Sequence, residues 1–339
     1  MTEGRPPIGT DPHQAARVLA SGGLVAFPTE TVYGLGADAR SARAVGRIFT
    51  VKGRPRSHPL IVHLGDPSWL DDWAASVPVA ARRLAEAFWP GPLTMLLRRA
   101  PAVLDVVTGG RDTIGLRVPD HPLALEMLAA FGAGVAAPSA NRFGRVSPTT
   151  ADHVVSDLGV DVDYVLDGGA CPVGVESTIV DLTTDVPEIV RTGAIGLDEV
   201  MGVVGGPARW WSGDGPARAP GMLAQHYSPR ARVVVVDPHD VDRLHDLEHL
   251  LSQAVADQMA LNPRTRVGVL APTMVATGDA EVIQLEPAGE PDDYARVLYD
   301  RLRQADRLGI EVLLVVPPPP VGIGVAVRDR LSRASSTYR

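Results

Sequence analysis

A chain of 339 residues is longer than one hydrophobic core comfortably serves, so two domains are expected. Apolar residues at 45% and charged residues at 21% exclude a disordered chain, and a net charge of −8 argues against a protein that holds nucleic acid by phosphate contacts alone. The single cysteine, Cys171, excludes an internal disulfide framework and a zinc site built on several thiolates; with no apolar run of about 18 residues and no signal-peptide pattern, a soluble, cytoplasmic protein without a membrane partner is expected.

In chain order, the first two-thirds alternate helix and strand. A helix over Pro12–Ala20 stops at glycines 22 and 23, and Leu24–Phe27 follows as a buried strand. A helix at Ala42–Phe49 precedes a Gly/Pro-punctuated basic loop, and Leu60–His63 is a continuous apolar strand. Val79–Ala87 and Leu123–Ala130 have helical spacing; Thr94–Leu97, Thr113–Val118, Gly134–Ala137, Tyr164–Asp167, Ser177–Leu182 and Glu188–Arg191 read as strands. Several strand-to-strand links predict an α/β fold whose sheet is mixed rather than purely parallel.

Residues 205–230 are rich in Gly and Pro without periodicity and read as a linker. They also hold Trp210, Trp211, His226 and Tyr227, so part of the segment is expected to pack onto a domain. Beyond it, Arg232–Asp237, Arg266–Leu270, Glu281–Leu285 and Glu311–Val316 are predicted strands, and Asp240–Ala260 and Ala326–Ala334 predicted helices. Tyr294, Val297, Leu298, Leu302, Ala305 and Leu308 fall at helical steps. This order predicts a small, parallel, Rossmann-like sheet; no Gly-x-Gly-x-x-Gly follows its first strand, which argues against a dinucleotide site there. The resulting division is residues 1–204, a linker or lid at 205–230, and a second domain at 231–339.

Of 32 lysine and arginine residues, only Lys52 is a lysine. Genome composition accounts for an arginine bias, and the lysine that survives it becomes a candidate for chemistry. It sits among Arg40, Arg43, Arg47, Arg54 and Arg56, in a stretch free of Asp and Glu, so the acidic chain has a local positive patch. Gly53 lets backbone approach an anion and Arg54 offers a bidentate fork, although the spacing is not that of a Walker A loop. Thr29 and Thr31 flank Glu30 where a buried strand exits, the usual place for ligand contacts in such sheets. Thr113 and Arg117 share a direction along one strand. Ser139 and Asn141 follow a short strand, Ser147–Thr150 resembles a helix start, and Val175–Ile179 opens a strand with polar groups. His58 and His63, taken singly, are ordinary polar residues. With no Cys/His metal spacing, no Gly-x-Ser-x-Gly and no HExxH, the set suits nucleotidyl or phosphoryl transfer, which relies on positioning and charge neutralisation.

The ordered motifs FPTETVYGLG, KGRPRSHPLIVH, FWPGPLT, TIGLRVPDHP, APSANRFGRVSPT and GVESTIVD resemble the threonylcarbamoyl-AMP synthases, the Sua5/YrdC family, over residues 12–200. PGMLAQHYSP and VGIGVAVRDRLSRA are similar to the long, two-domain Sua5 form. The resemblance implies a YrdC-like twisted mixed sheet followed by a small parallel domain. It implies a nucleotidyltransferase that joins L-threonine, bicarbonate and ATP into L-threonylcarbamoyladenylate and releases pyrophosphate. Magnesium would arrive with ATP, held by no protein side chain. Partner transferase machinery would carry the product to adenosine 37 of tRNAs that read ANN codons, with tRNA touched indirectly or weakly. The family's threonine contacts fall on Thr31, His63, Arg117, Ala137 and Ser177. Its nucleotide contacts fall on Lys52, Arg54, His58, Thr113, Ser139, Asn141, Ser147, Arg191 and Tyr227, with Lys52 and Arg54 as the catalytic cations and Tyr227 as part of a cover over the nucleotide. His58 stands where relatives often have Asn. Competing classes are an RNA-binding module, opposed by net charge and the lack of aromatic–basic interleaving, and a sugar-phosphate lyase, which would need a carboxylate cluster for metal.

Overall fold

The computed structural model describes residues 5–213, 218–219, 227–237, 244–277, 279 and 281–335. His226 and the first residues of the helix expected from Asp240 lie outside them. The chain forms two units, Met1–Phe143 with Ser147–Leu223, and Gly144–Val146 with Ala224–Arg339.

In the first unit the chain runs β1 (Ile8–Gly9), α1 (Pro12–Ala20), β2 (Val25–Phe27), β3 (Gly34–Asp38), α2 (Ala42–Lys52), β4 (Ile61–His63), α3 (Leu70–Trp73), α4 (Val79–Phe88), β5 (Leu93–Arg98) and α5 (Asp105–Thr108). It continues β6 (Thr113–Arg117), α6 (Pro122–Phe131), β7 (Val135–Ala136), α7 (Ala151–Leu158), β8 (Tyr164–Leu166), β9 (Thr178–Asp181), β10 (Glu188–Arg191), α8 (Leu197–Val204) and β11 (Arg209–Trp210). The strands form one sheet in the order β1-β8-β2-β3-β7-β4-β6-β5-β9-β10-β11. It is mixed, as expected: β4 pairs parallel with β6 and β5 with β9, while β2–β3, β5–β6 and β9–β10 are antiparallel.

Local chemistry sets where the helices start and stop. Asp11 caps α1 by accepting from His13 N at 2.8 Å, with Pro12 at the first helical position. Ser41 caps α2 through Ala44 N, and Gly53, at φ 65°, ends it in the left-handed conformation. The expectation that α2 stops at Phe49 is corrected, because Val51 and Lys52 tolerate helix and the first breaker is Gly53. Lys52 therefore stands on the last helical turn and not in the loop.

Three strands escaped the sequence reading: the two-residue β1, β3 and β11. β3 is rich in glycine, which reads as turn, yet its glycines are needed: a Cβ on Gly36 would lie 2.7 Å from Val135 and 2.9 Å from the Phe27 ring. β11 lies in the Gly/Pro-rich segment and pairs with β10, Ile189 opposite Trp210. Trp211 then packs on Ile61, Leu96, Ile179 and Val190.

One sheet face is buried beneath α2, α4 and α7, with Val45, Ile48, Phe49, Leu84 and Val154 packed on Leu35, Val62, Met95 and Leu116. On the other, α1 and α6 place Leu19, Met127 and Leu128 against Val25, Phe27 and Val135. Burying each such side chain contributes about 1.5–3 kcal/mol. Register puts His63 beside Arg117 on that second face, level with Val135.

The second unit carries β12 (Arg232–Val235), α9 (Leu244–Leu261), β13 (Val267–Leu270), β14 (Ile283–Gln284), α10 (Pro291–Arg307), β15 (Val312–Val315) and α11 (Gly324–Ser335). Its sheet, β12-β15-β13-β14, is wholly parallel. Tyr294, Leu298, Leu302 and Ala305 form the buried stripe of α10; Leu308, expected to extend it, lies past the helix end and is 39% exposed.

Gly36→Ala should destabilise the first unit by about 1–3 kcal/mol, because neither Val135 nor the Phe27 ring has room to yield. A thermal midpoint unchanged from the parent protein would contradict that packing.

Candidate active site

Beneath the loop that leaves β2, hydroxyls and guanidiniums gather at the ends of β4, β6, β9 and β10. Thr29 Oγ1 lies 2.8 Å from Thr31 Oγ1 and also donates to Val32 O at 2.7 Å, so the turn is closed by its own side chains. Arg117, the last residue of β6, donates from Nη2 to Thr31 Oγ1 at 2.9 Å and from Nε to Gly91 O at 3.3 Å. Its other neighbour is Glu30: Nη2 and Oε1 are 2.8 Å apart, and both side chains are 5% exposed. Ser177, just before β9, lies with its Oγ 2.8 Å from Thr94 Oγ1 and accepts from Arg191 Nη2 at 2.8 Å, while Arg191 Nε donates to Ser177 O. Thr31, His63, Arg117, Ser177 and Arg191 are all buried.

His63 stands edge-on to Phe27, with ring centroids 5.6 Å apart, and its Nδ1 is sealed from solvent without a hydrogen-bond partner among the described residues. Burial, reinforced by the neighbouring Arg117 charge, pushes its pKa down to about 3, so the ring is neutral at physiological pH. Ala137 continues the edge of β7 by donating its N–H to Ile61 O at 2.9 Å.

The second group is built around Lys52. Its Nζ donates to Ser139 O at 2.6 Å and Asn141 O at 2.5 Å, and the residue is only 3% exposed. Burial first, then the Arg54 charge, hold its pKa well below the usual lysine value. The lone lysine thus ties the end of α2 to the turn that carries Ser139 and Asn141. Within that turn, Ser139 Oγ donates to Asn141 Oδ1 at 2.6 Å. Arg54 donates to Pro59 O at 3.0 Å and lies 5.8 Å above the Phe143 ring, against which His58 also packs at 5.4 Å. Burial and the Arg54 and Arg111 charges lower the pKa of His58. Ser147 donates to Glu176 Oε1 at 2.6 Å.

Thr113 opens β6 and Arg117 closes it, so the two share a face but stand about 13 Å apart along the strand. Tyr227 belongs to the second unit. There it is 1% exposed at φ 65°, stacked on Tyr299 at 5.7 Å with the Arg330 guanidinium 5.1 Å from its ring.

Sequence reasoning gave no role to Glu30, Thr94 or Glu176. Glu30 was the findable one, as the only acid in an otherwise uncharged strand exit. The positive patch is also less free than it reads: Arg40 pairs with Asp38 at 3.0 Å and Arg47 with Asp163 at 2.8 Å. Among the described residues, no group of three His, Cys, Asp or Glu is placed to hold a metal ion, and no helix is long and apolar enough to cross a membrane.

Fold and site together define an α/β protein whose strand ends hold hydroxyls and guanidiniums in fixed positions, an arrangement chemically suited to small polar anions. The Sua5/YciO/YrdC family model, described as telomere recombination, matches residues 17–193, and the model described as the C-terminal domain of threonylcarbamoyl-AMP synthase matches 194–336. A Pyrococcus abyssi protein named threonylcarbamoyl-AMP synthase is 40% identical over 331 residues, covering 96% of this chain and 94% of its own. A Bacillus subtilis protein of the same name is 37% identical, with coverage of 95% and 92%. The crystal structure of P. abyssi Sua5 complexed with L-threonine matches at TM-score 0.85 and 40% identity, over 96% of this chain and 94% of that one. The chain belongs to the Sua5/YrdC family of threonylcarbamoyl-AMP synthases, in the long form that carries the Sua5 C-terminal domain.

Two outcomes follow. The folded protein binds no proton at His63 until near pH 3, whereas the unfolded chain does so below about pH 6.5, so stability is lost as pH falls through that window. Urea midpoints at pH 7.5 and 4.5 should differ less in His63→Gln than in the parent; an equal difference would contradict a buried neutral imidazole. Because Lys52 is the one lysine and is buried, an amine-directed reagent should modify the N-terminal amine of the folded protein while sparing Lys52, and should reach Lys52 only after unfolding in urea. Rapid modification of both amines in the folded protein would contradict the tie to residues 139–141.

Proposed function

We propose that this chain is a nucleotidyltransferase that makes L-threonylcarbamoyladenylate from L-threonine, bicarbonate and ATP. Threonine and bicarbonate condense to N-carboxy-threonine with loss of water; a carbamate oxygen attacks the α-phosphorus of ATP, and the bond from that phosphorus to the bridging oxygen of the β-phosphate breaks to release pyrophosphate. Family membership carries the proposal, and the packing of Thr31, His63, Arg117 and Ser177 at one end of one sheet face supports a single small-substrate pocket. In this reading Arg117 takes the threonine carboxylate, and the hydroxyls of Thr31 and Ser177, the backbone at Ala137 and the neutral His63 ring complete the pocket.

ATP enters with magnesium as its substrate complex. Lys52, Arg54, His58, Thr113, Ser139, Asn141, Ser147 and Arg191 are assigned to the nucleotide. Lys52 has a double part. Two of its ammonium hydrogens go to the Ser139 and Asn141 carbonyls, fixing the turn, while the third has only a 3.5 Å contact with Asn141 Oδ1, which a phosphate oxygen would replace. The reaction needs little covalent help from the protein; alignment and charge neutralisation are what the residues supply. The product then passes to a transferase that modifies adenosine 37 of tRNAs reading ANN codons, with tRNA itself contacting this chain weakly.

Pyrophosphate release from ATP should require both threonine and bicarbonate, and release independent of threonine would sink the proposal. Lys52→Ala should lower the rate by about 10²-fold or more, the loss of roughly 3 kcal/mol of transition-state stabilisation. Arg117→Lys keeps the charge but cannot serve Gly91 O, Thr31 and Glu30 together, so the KM for threonine should rise far more than that for ATP. Equal increases would place Arg117 with the nucleotide instead.

A further inference from the structure

The donors of Arg117 are unevenly used. Nε goes to Gly91 O and Nη2 to Thr31 Oγ1, while Glu30 Oε1 stands 2.8 Å from Nη2 as an ion pair without a hydrogen bond of its own among the described residues; Nη1 has no hydrogen-bond partner among the described residues and is not one of the polar atoms sealed from solvent. Glu30 is held as firmly. Its Oε2 accepts from Asp120 N at 3.1 Å, its backbone O accepts from Val173 N at 2.8 Å, and the Thr29 turn closes beside it. Its carboxylate is buried against an arginine and a backbone amide, so it is placed to orient a neighbour rather than to meet a ligand.

We infer that Glu30 is a positioning residue for substrate recognition, pinning the Arg117 guanidinium so that Nη1 alone meets the substrate carboxylate. The inference rests on the reading that Arg117 takes the threonine carboxylate. It makes that contact one directed, charge-assisted hydrogen bond. Because Glu30 offsets the charge of Arg117, affinity depends on the direction of one N–H more than on a net positive field. The carboxylate uses both oxygens, Oε1 in the ion pair with Arg117 Nη2 and Oε2 as acceptor from Asp120 N. Glutamine has one, and its amide nitrogen would face the other donor.

Glu30→Gln should therefore weaken threonine binding by about tenfold or more, with ATP binding within about twofold of the parent, both read by calorimetry on the full chain. Glu30→Asp, which keeps both acceptors on a shorter stem, should fall between Glu30→Gln and the parent. In a double-mutant cycle, adding Glu30→Gln to Arg117→Lys should cost little more than Arg117→Lys alone, because the directed Nη1 is already gone. A merely structural role would lower the affinities for threonine and ATP together and give additive losses, and either result overturns the inference. So does a folded Glu30→Gln that binds threonine as the parent does. If Glu30→Gln does not fold, Glu30→Asp carries the same cycle with the same criteria. If Arg117→Lys alone leaves threonine binding unchanged, the substrate reading itself has failed and the inference falls with it; if Arg117→Lys weakens threonine and the Glu30 variants do not, only the inference falls.

Discussion

A guanidinium as buried as that of Arg117 needs a partner, and here the partner is a carboxylate; leaving either charge unpaired in so dry a place costs several kcal/mol. Arg117 and Glu30 meet that constraint, and much of the first unit is arranged around it. β6 ends at Arg117, the loop after β2 folds back through Thr29 so that Glu30 and Thr31 both reach it, and Glu30 is fastened by Asp120, three residues on from Arg117, and by Val173. Three pieces of chain, distant in sequence, are drawn to one point. A buried pair of this kind adds little net stability, so its value lies in fixing direction.

A second buried cation, Lys52, works in the opposite manner. It is answered by backbone carbonyl dipoles, with no carboxylate among its hydrogen-bond partners in the described residues, so its position is set without an acid beside it. The helix that carries it brings a basic residue to its C-terminal turn, where carbonyl oxygens make a cation welcome. The two residues thus divide the work proposed for them: an arginine paired with a carboxylate, suited to orienting one small substrate, and a lysine held on carbonyls with no acid paired to it, suited to a triphosphate.

Legibility in the sequence followed the strength of the local signal. β4, β6, β9 and β10 are continuous apolar or alternating runs, and their positions were clear to within a residue or two. β3 was not, because glycine signals a turn locally while here it is required by Phe27 and Val135 across the sheet. α2 ran three residues past its expected end because a basic, β-branched stretch without glycine or proline resembles a loop only when the basic residues are read as a ligand site. The site's residue types were visible as ordered motifs, but their pairing was not. That Lys52 is buried on carbonyls, that Arg117 is held by Glu30, and that Arg40 and Arg47 are neutralised by acids all depend on contacts that composition cannot encode. The Gly/Pro-rich segment was half legible, since its tryptophans announced packing and β11 is where that packing begins.

The central claim is that one chain joins an amino acid, a one-carbon unit and a nucleotide. The most direct measurement is mass spectrometry of the nucleotide product formed from ATP, L-threonine and 13C-bicarbonate. The expected product is an adenylate that carries one threonine and one labelled carbon between the amine and the phosphate. An adenylate bearing threonine without the label, or AMP alone under conditions that protect the mixed anhydride, would contradict it.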